Sequence, residues 1–306
     1  MQNTILIFSK ALKKMFKKTV IFYVMVVCNF ALSLSFAQAE TQEPKICRFG
    51  VPPWQKGRSF DDVRNAYQPM LNWLTEQTGC QFVAVGGVSY DDLVKKLVTG
   101  KVHLAELGPV TYVLATQKNP QISLLLTNLI WNPDKTELVD GYFGYILTLK
   151  KYNEINLLSD LKNKPFGFVD LESSSGYVYP NALLKNNGID YKTFFSKTYF
   201  LKNHLNVTDA IASESIIAGA TWQYNLAEAI KKHGDIFKVI HATAQIPNNC
   251  LAAHPSLPQK LQTKIKQLLS TINQTALEKV SAKGFVERPD SFYNSVRHVM
   301  KQQTEP

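Results

Sequence analysis

Two spacings of hydrophobic positions recur along the chain, one typical of strands and the other of helices. The segment 47–51 predicts a first strand, and apolar side chains then repeat at helical spacing up to residue 74. Ser59, followed by Asp61 and Asp62, predicts the capped start of that helix, and Gly79 predicts its end. The chain therefore opens with a strand–helix unit.

The same unit recurs along the rest of the chain. Cys80 opens a second predicted strand, and Ser89 and Gly100 bracket a second predicted helix. Further apolar runs predict strands as far as residue 240, and the tail 257–301 is predicted to be helical throughout. Alternation of this kind predicts an α/β fold.

A short internal similarity indicates two lobes. Residues 100–105 resemble residues 214–219, and each segment follows a predicted helix and precedes a turn. No low-complexity linker divides the chain, which two crossings between lobes would explain. We expect residues 40–141 and 246–306 to form lobe I and residues 142–245 to form lobe II, with a hinge and a ligand cleft between them.

The first 39 residues predict the compartment. Residues 1–18 contain five lysines and no acidic residue, and residues 19–39 carry no charge and end in Ala37-Gln38-Ala39. This is the pattern of a secretory signal peptide, so we expect cleavage after Ala39 and a periplasmic protein. An uncleaved anchor is the alternative, because the uncharged run approaches the roughly 20 residues that span a bilayer.

Charge and cysteines narrow the function. The five leader lysines account for half of the formal charge of +10, so the mature chain is only mildly basic. Its cationic residues are scattered, which argues against nucleic-acid binding.

Cys47 and Cys80 open two strands expected to be parallel neighbours, so we expect a disulfide between them and a free, buried Cys250. No metal or cofactor is predicted.

Three serines, residues 173–175, follow the predicted buried strand 165–169 and open a helix. Backbone N–H groups and the helix dipole attract anions at such a position, and serine hydroxyls donate further hydrogen bonds. A plain helix cap, the alternative interpretation, needs only one serine. The run therefore predicts an anion site.

Several short motifs together resemble one family, the periplasmic binding proteins of phosphate, phosphite and phosphonate ABC importers, over residues 46–285. The motifs are the segment Gly100–Pro109 followed by Tyr112, the run Asp170–Gly176, Pro180 and His204. The resemblance implies a two-lobed type II periplasmic-binding fold that closes over a small oxyanion. It also implies a monomer that delivers its ligand to an ABC permease and ATPase in the inner membrane.

The resemblance places the family's ligand-binding side chains on five residues of this chain. Phenols, alcohols and an imidazole can surround a tetrahedral oxyanion with oriented donors, and no full salt bridge is needed. The implied binding residues are Tyr90, Tyr142, Ser173, Ser174 and His204.

The chain departs from the family pattern at four positions. Gly144 replaces a serine of the crossing strand, His103 and Ile217 replace aspartates in Gly-x-Val-Asp turns, and Trp54 replaces an acidic residue. An amino-bearing phosphonate needs carboxylate partners. Phosphite, phosphate, an alkyl phosphonate or another anion therefore all remain open as ligands.

Two other functions compete with transport. The same fold could serve as a sensory module for a separate signalling partner. A hydrolase could use Ser174, His204 and Asp209, but no Gly-x-Ser-x-Gly elbow is present, and serines clustered at a helix start suit donation. Trp222 could line the cleft, although aromatic residues more often serve as core packing. The sequence predicts a binding protein and not an enzyme.

Overall fold

The computed structural model describes residues 44–52 and 59–304. The predicted signal peptide and Trp54 lie outside these two ranges. Within them, no helix combines the length and the apolar character that crossing a bilayer requires.

The helices begin and end largely where the chain carries capping signals. Ser59 forms a reciprocal capping box: its hydroxyl accepts the Asp62 N–H at 3.2 Å, and its own N–H donates to the Asp62 carboxylate at 2.8 Å. Gly79, with φ of +78°, ends the helix. The α-helices of the described residues are α1 (Phe60–Thr78), α2 (Tyr90–Val98), α3 (Pro109–Lys118), α4 (Tyr179–Asn186), α5 (Tyr191–Phe194), α6 (His204–Ala212), α7 (Gln223–His233), α8 (Gln259–Ser270) and α9 (Asn294–Thr304).

The strands form two larger sheets and one short pair. In chain order they are β1 (Ile46–Val51), β2 (Gln81–Gly86), β3 (Leu104–Leu107), β4 (Ser123–Trp131), β5 (Leu138–Val139), β6 (Gly141–Tyr142), β7 (Gly144–Leu149), β8 (Pro165–Phe168), β9 (Lys197–Phe200), β10 (Ala218–Trp222), β11 (Phe237–Ala242), β12 (Ile246–Pro247), β13 (Cys250–Ala253) and β14 (Gly284–Val286).

The first sheet has the order β14-β4-β13-β3-β1-β2, and β5 pairs with β4. β1 runs parallel to β2 and β3, whereas β13 runs antiparallel to both β3 and β4. Helices α1 and α8 pack on the face that carries Phe49 and Leu104. Helices α2 and α3 pack on the face that carries Ala105 and Leu107, so the sheet is buried on both sides.

The second sheet has the order β11-β7-β10-β8-β9. β8 is parallel to β9 and β10, and β7 is antiparallel to β10 and β11. The chain passes from the first sheet to the second through β6 and returns through β12, and these two strands pair antiparallel. The predicted α/β class is confirmed.

Two parts of the predicted pattern are wrong. The tail is not helical throughout, because β14 pairs with β4 between α8 and α9. The predicted strand 142–149 breaks at Phe143 into β6 and β7. Both errors involve pairing with strands distant in sequence, which local periodicity does not encode.

The expected disulfide is confirmed. Cys47 and Cys80 are bonded, with their Cα atoms 6.0 Å apart, and tie β1 to the residue that precedes β2. Cys250 is a buried free thiol, also as expected.

Removing this disulfide should lower the free energy of unfolding. The bond closes a loop with a sequence separation of 33 residues, and a loop of that size contributes about 3–4 kcal/mol by restricting the unfolded chain. Urea unfolding of Cys47→Ala/Cys80→Ala against wild type measures the loss. Cys250→Ala, which also loses a buried cysteine but opens no loop, is the control. A double variant as stable as that control would contradict the prediction.

A buried carboxyl lies on the first sheet. Glu106 of β3 is 1% exposed. Tyr67 donates to its Oε2 at 3.0 Å, and the Asn249 side-chain amide donates to its Oε1 at 3.1 Å. Burial raises the pKa of Glu106 above its ordinary value, although hydrogen bonds from Asn249, Tyr67 and Asn128 oppose the rise.

The raised pKa makes stability depend on pH. The folded state holds the Glu106 proton more tightly than the unfolded chain does, so stability falls as pH rises from about 4.3, the unfolded value, through the folded pKa. We expect Glu106→Gln to lack this fall, so that its unfolding free energy becomes larger relative to that of wild type as pH rises from 4.5 to 7.5. The exposed Glu76→Gln is the matched control. Equal pH dependence in wild type and Glu106→Gln would refute this.

Candidate functional site

The five residues expected to bind ligand share one structural setting: each lies near the carboxyl end of a parallel strand. Tyr142 precedes β7, whose start lies beside the end of its antiparallel neighbour β10. Ligands of α/β sheets bind outside such edges. The others follow β2, β8 and β9, in the order Tyr90, Ser173 with Ser174, and His204.

The serine turn after β8 opens α4 through one π-helical turn, Ser174–Val178. The Ser173 hydroxyl accepts the Gly176 N–H at 3.1 Å, so this serine caps the turn. The first N–H groups of the turn lack helical acceptors. All three serines of the run are buried.

Ser174 connects the edges of the two sheets. Its hydroxyl accepts the Val110 N–H at 3.3 Å. Val110 lies in the first turn of α3, which follows β3 of the first sheet, whereas Ser174 follows β8 of the second. The residue that precedes α3 is Gly108, which has no side chain to cap it. Ser174 therefore supplies the acceptor that α3 lacks locally.

Two tyrosines lie beside this connection. Tyr142 is 7% exposed, and burial raises the pKa of its phenol despite the nearby hydroxyls of Ser175 and Ser174. Burial also raises the pKa of Tyr90, and Tyr142, Asp170 and Glu172 nearby add to the rise. Both phenols keep their protons near neutral pH and can donate hydrogen bonds.

His204 begins α6 and is partly buried. Its Nδ1 lies 3.0 Å from the Thr221 hydroxyl. The Asn225 side-chain amide donates to that hydroxyl at 3.0 Å and to the His204 carbonyl at 3.1 Å. Burial lowers the pKa of the imidazole to about 4, so the ring is neutral at pH 7.

The alternative triad of Ser174, His204 and Asp209 does not match this geometry. Nδ1 of His204 faces a threonine hydroxyl in place of the carboxylate that a triad requires. Asp209 accepts hydrogen bonds from Lys232 at 2.7 Å, and its carboxylate lies 2.8 Å from Nε2 of His233.

The departure at Gly144 has a steric cause. A Cβ at this position would lie 3.0 Å from Cγ2 of Thr243 and 3.2 Å from the Ser175 carbonyl. The Thr243 hydroxyl accepts the Gly144 N–H at 3.0 Å and donates to the Ala244 carbonyl at 2.8 Å. Thr243 therefore occupies the space that the family's serine side chain would need, and its own proton is engaged.

Two other departures lie at the opposite ends of their strands. His103 immediately precedes β3, and its Nδ1 accepts the Arg48 N–H at 3.0 Å. Ile217 immediately precedes β10, and its carbonyl accepts the Thr148 hydroxyl at 2.7 Å. Neither replacement is at the carboxyl edge where the expected binding residues gather. The fourth departure, Trp54, lies outside the described residues.

Two residues at this edge were not among the expected binding residues. Val110 contributes a backbone amide. The Gly108-Pro109 pair could have indicated the start of α3, and with it this amide, from the sequence. Trp222 ends β10 and contacts Tyr142 and His204 at ring-centroid distances of 5.8 Å and 5.9 Å. A lone tryptophan at a strand end carries no comparable signal.

An α/β fold whose two sheets meet across an edge of hydroxyl, amide and imidazole groups is the architecture of periplasmic binding proteins. A family profile described as the periplasmic substrate-binding protein of phosphonate ABC transporters matches residues 49–293, so the chain belongs to that family. Members of this family are binding proteins and not enzymes.

Individual proteins of known sequence or structure are also similar to this chain. The phosphate-import protein PhnD of Mycolicibacterium smegmatis is 27% identical over 264 residues, which cover 78% of this chain and 80% of that protein. PhnD1 of Prochlorococcus marinus in complex with methylphosphonate superposes with a TM-score of 0.73 at 18% identity, over 86% of this chain and 100% of that one. A binding protein component of a Pseudomonas aeruginosa ABC phosphonate transporter superposes with a TM-score of 0.72 at 19% identity, over 86% of this chain and 87% of that one.

These findings define the protein's general role. It is a substrate-binding protein of the ABC phosphonate transporter family. That role implies a small ligand and an ABC permease and ATPase as partners.

The His204 ring should stay neutral well below pH 6. Because burial holds its pKa at about 4, we expect its NMR ring signals to remain unchanged between pH 7.5 and pH 5. His204→Gln assigns the signal by its disappearance. A titration midpoint between pH 6 and pH 7 in the ligand-free protein would contradict the buried environment described above.

Proposed function

We propose that the protein captures a phosphonate-, phosphite- or phosphate-like oxyanion at the edge where the two sheets meet. The hydrogen bond from Val110 to Ser174 carries this proposal, because it brings the start of α3 against the serine turn. Two helix starts, each a favourable place for an anion, then lie side by side. The side chains around it are those implied by the family: Tyr90, Tyr142, Ser173, Ser174 and His204.

The proposed cage binds through neutral donors. The Ser174 hydroxyl accepts from Val110 and keeps its own proton for an anion oxygen. Tyr90 and Tyr142 keep their phenolic protons because burial raises their pKa values.

His204 completes the cage as a donor. Thr221 accepts from Asn225 at 3.0 Å, so its hydroxyl proton can be donated to Nδ1 of His204. That arrangement leaves the proton of the neutral imidazole on Nε2, where it can be donated to the ligand.

We further propose that residues 40–141 with 246–306 and residues 142–245 are two lobes that close over the ligand. The two larger sheets fall entirely within these respective segments. The pair β6–β12, at the junctions, would serve as the hinge. Closure would create the state that the permease recognises.

The compartment follows from the same proposal. The 39-residue leader would direct export and be cleaved after Ala39, and the mature protein would act as a monomer. Mass spectrometry of the protein purified from the periplasm tests the cleavage, because a mature chain starting at Glu40 has one defined mass.

Calorimetry with phosphite, phosphate, methylphosphonate and aminoethylphosphonate tests the ligand class. We expect at least one to bind, and Ser174→Ala and His204→Ala each to weaken it about 10- to 100-fold, since a hydrogen bond to a charged group contributes about 1.5–3 kcal/mol. Binding by none of the four would rule out the proposed ligand class.

Matched controls separate the site from general damage. Ser215→Ala and His241→Ala remove the same side chains at exposed positions and should leave affinity unchanged. Thermal unfolding of each variant verifies the fold. If a ligand binds equally to wild type, Ser174→Ala and His204→Ala, the ligand class survives and the site is wrong.

A further inference from the structure

Trp222 is a large aromatic side chain of the candidate edge that the proposed anion cage does not use. It ends β10, directly before α7, and is partly exposed. Its ring lies 5.8 Å from Tyr142, almost perpendicular at 86°, and 5.9 Å from His204. It therefore lies beside two residues proposed to hold the oxyanion.

A neighbouring aromatic ring and two hydrogen bonds of the next residue hold the Trp222 indole in place. Tyr224 packs against it with ring centroids 5.1 Å apart. The next residue, Gln223, donates its N–H to the Phe143 carbonyl at 3.0 Å, and its side-chain oxygen accepts the Phe143 N–H at 3.2 Å. Because both bonds fix the end of β10 against β7, Trp222 offers a preorganised surface.

The partner strand carries no side chain at the position opposite the indole. Trp222 lies directly opposite Gly144 in the antiparallel pair of β10 and β7. Side chains of opposed residues project to the same side of a sheet. The serine typical of the family at residue 144 would project beside the indole, and in this chain that hydroxyl is absent.

The aromatic rings around Trp222 are uncharged at neutral pH. Among the described residues, its ring contacts are Tyr142, His204 and Tyr224. The Asp170 and Glu172 carboxyls lie close enough to Tyr90 to raise the pKa of its phenol. Lys202 is 3.7 Å from Asp170. An indole face accepts no conventional hydrogen bond, so it suits carbon rather than a phosphoryl oxygen.

We propose that Trp222 binds the carbon substituent of the ligand, so that the protein selects phosphonates with an apolar alkyl or aryl group over phosphate and over aminoalkyl phosphonates. This inference rests on the proposed function and names the ligand class within it. Trp222 acts as a specificity-determining residue, while the hydroxyl, amide and imidazole donors hold the phosphoryl oxygens.

Calorimetry with phosphite and with methyl-, ethyl- and propylphosphonate tests the inference. Wild-type affinity should rise about fourfold for each added carbon, the equivalent of about 0.8 kcal/mol per buried CH₂. Trp222→Ala should lose most of this rise while changing phosphite affinity less than about twofold. Trp222→Phe should keep part of it. Trp131→Ala, which removes a tryptophan from β4 of the first sheet, is the matched control.

Each outcome has a distinct meaning. If phosphonates bind wild type without chain-length dependence, or if Trp222→Ala keeps the full dependence, the role of Trp222 is wrong and the proposed function stands. Tighter binding of aminoethylphosphonate than of ethylphosphonate, lost in Trp222→Ala, would show a cation over the indole and overturn the apolar selection. If no oxyanion binds, the proposed function itself fails. If Trp222→Ala does not fold, Trp222→Phe decides the role of Trp222, because retention of the full dependence in that variant would refute it.

Discussion

The hydrogen bond from the Val110 amide to the Ser174 hydroxyl is the contact on which the arrangement of the site depends. Helix α3 starts after a glycine that cannot cap it, and a buried N–H without a partner costs about 1–3 kcal/mol. The acceptor comes from the other sheet, so satisfying this helix brings both carboxyl edges together. In the proposed cage the Val110 N–H stays bonded to Ser174, whose own proton can then be donated to the oxyanion.

The neutrality of the donors follows from their burial. Desolvation keeps the protons on Tyr90 and Tyr142 and keeps His204 uncharged. A site without a buried cation avoids the desolvation cost of an unpaired positive charge when the ligand is absent. In the proposed cage, the attraction for an anion would come from oriented N–H and O–H groups. Burial and the nearby Asp91 and Asp170 carboxyls raise the pKa of Glu172.

The sequence predicted what depends on local signals. Ser59 and Gly79 marked the ends of α1, two strand-opening cysteines indicated the disulfide, and the serine run marked the turn after β8. Strand β14 and the break at Phe143 were missed, because both depend on pairing between segments far apart in the chain. The acceptor role of Ser174 toward Val110 was missed for the same reason, since it joins residues 64 positions apart.

Non-local packing also changes how the departures from the family pattern are interpreted. In sequence, Gly144 is simply a lost hydroxyl, and Trp222 is an isolated aromatic residue. In the structure they oppose each other across β7 and β10, so their side-chain positions share one face. Thr243 fills the space next to Gly144 and directs its proton to Ala244, so it does not restore the missing donor. The family's serine hydroxyl is therefore absent at Gly144, on the face where the Trp222 indole is present. Both changes support the proposed selection of a carbon substituent, because a phosphoryl oxygen beside Trp222 would lose a donor and contact an indole.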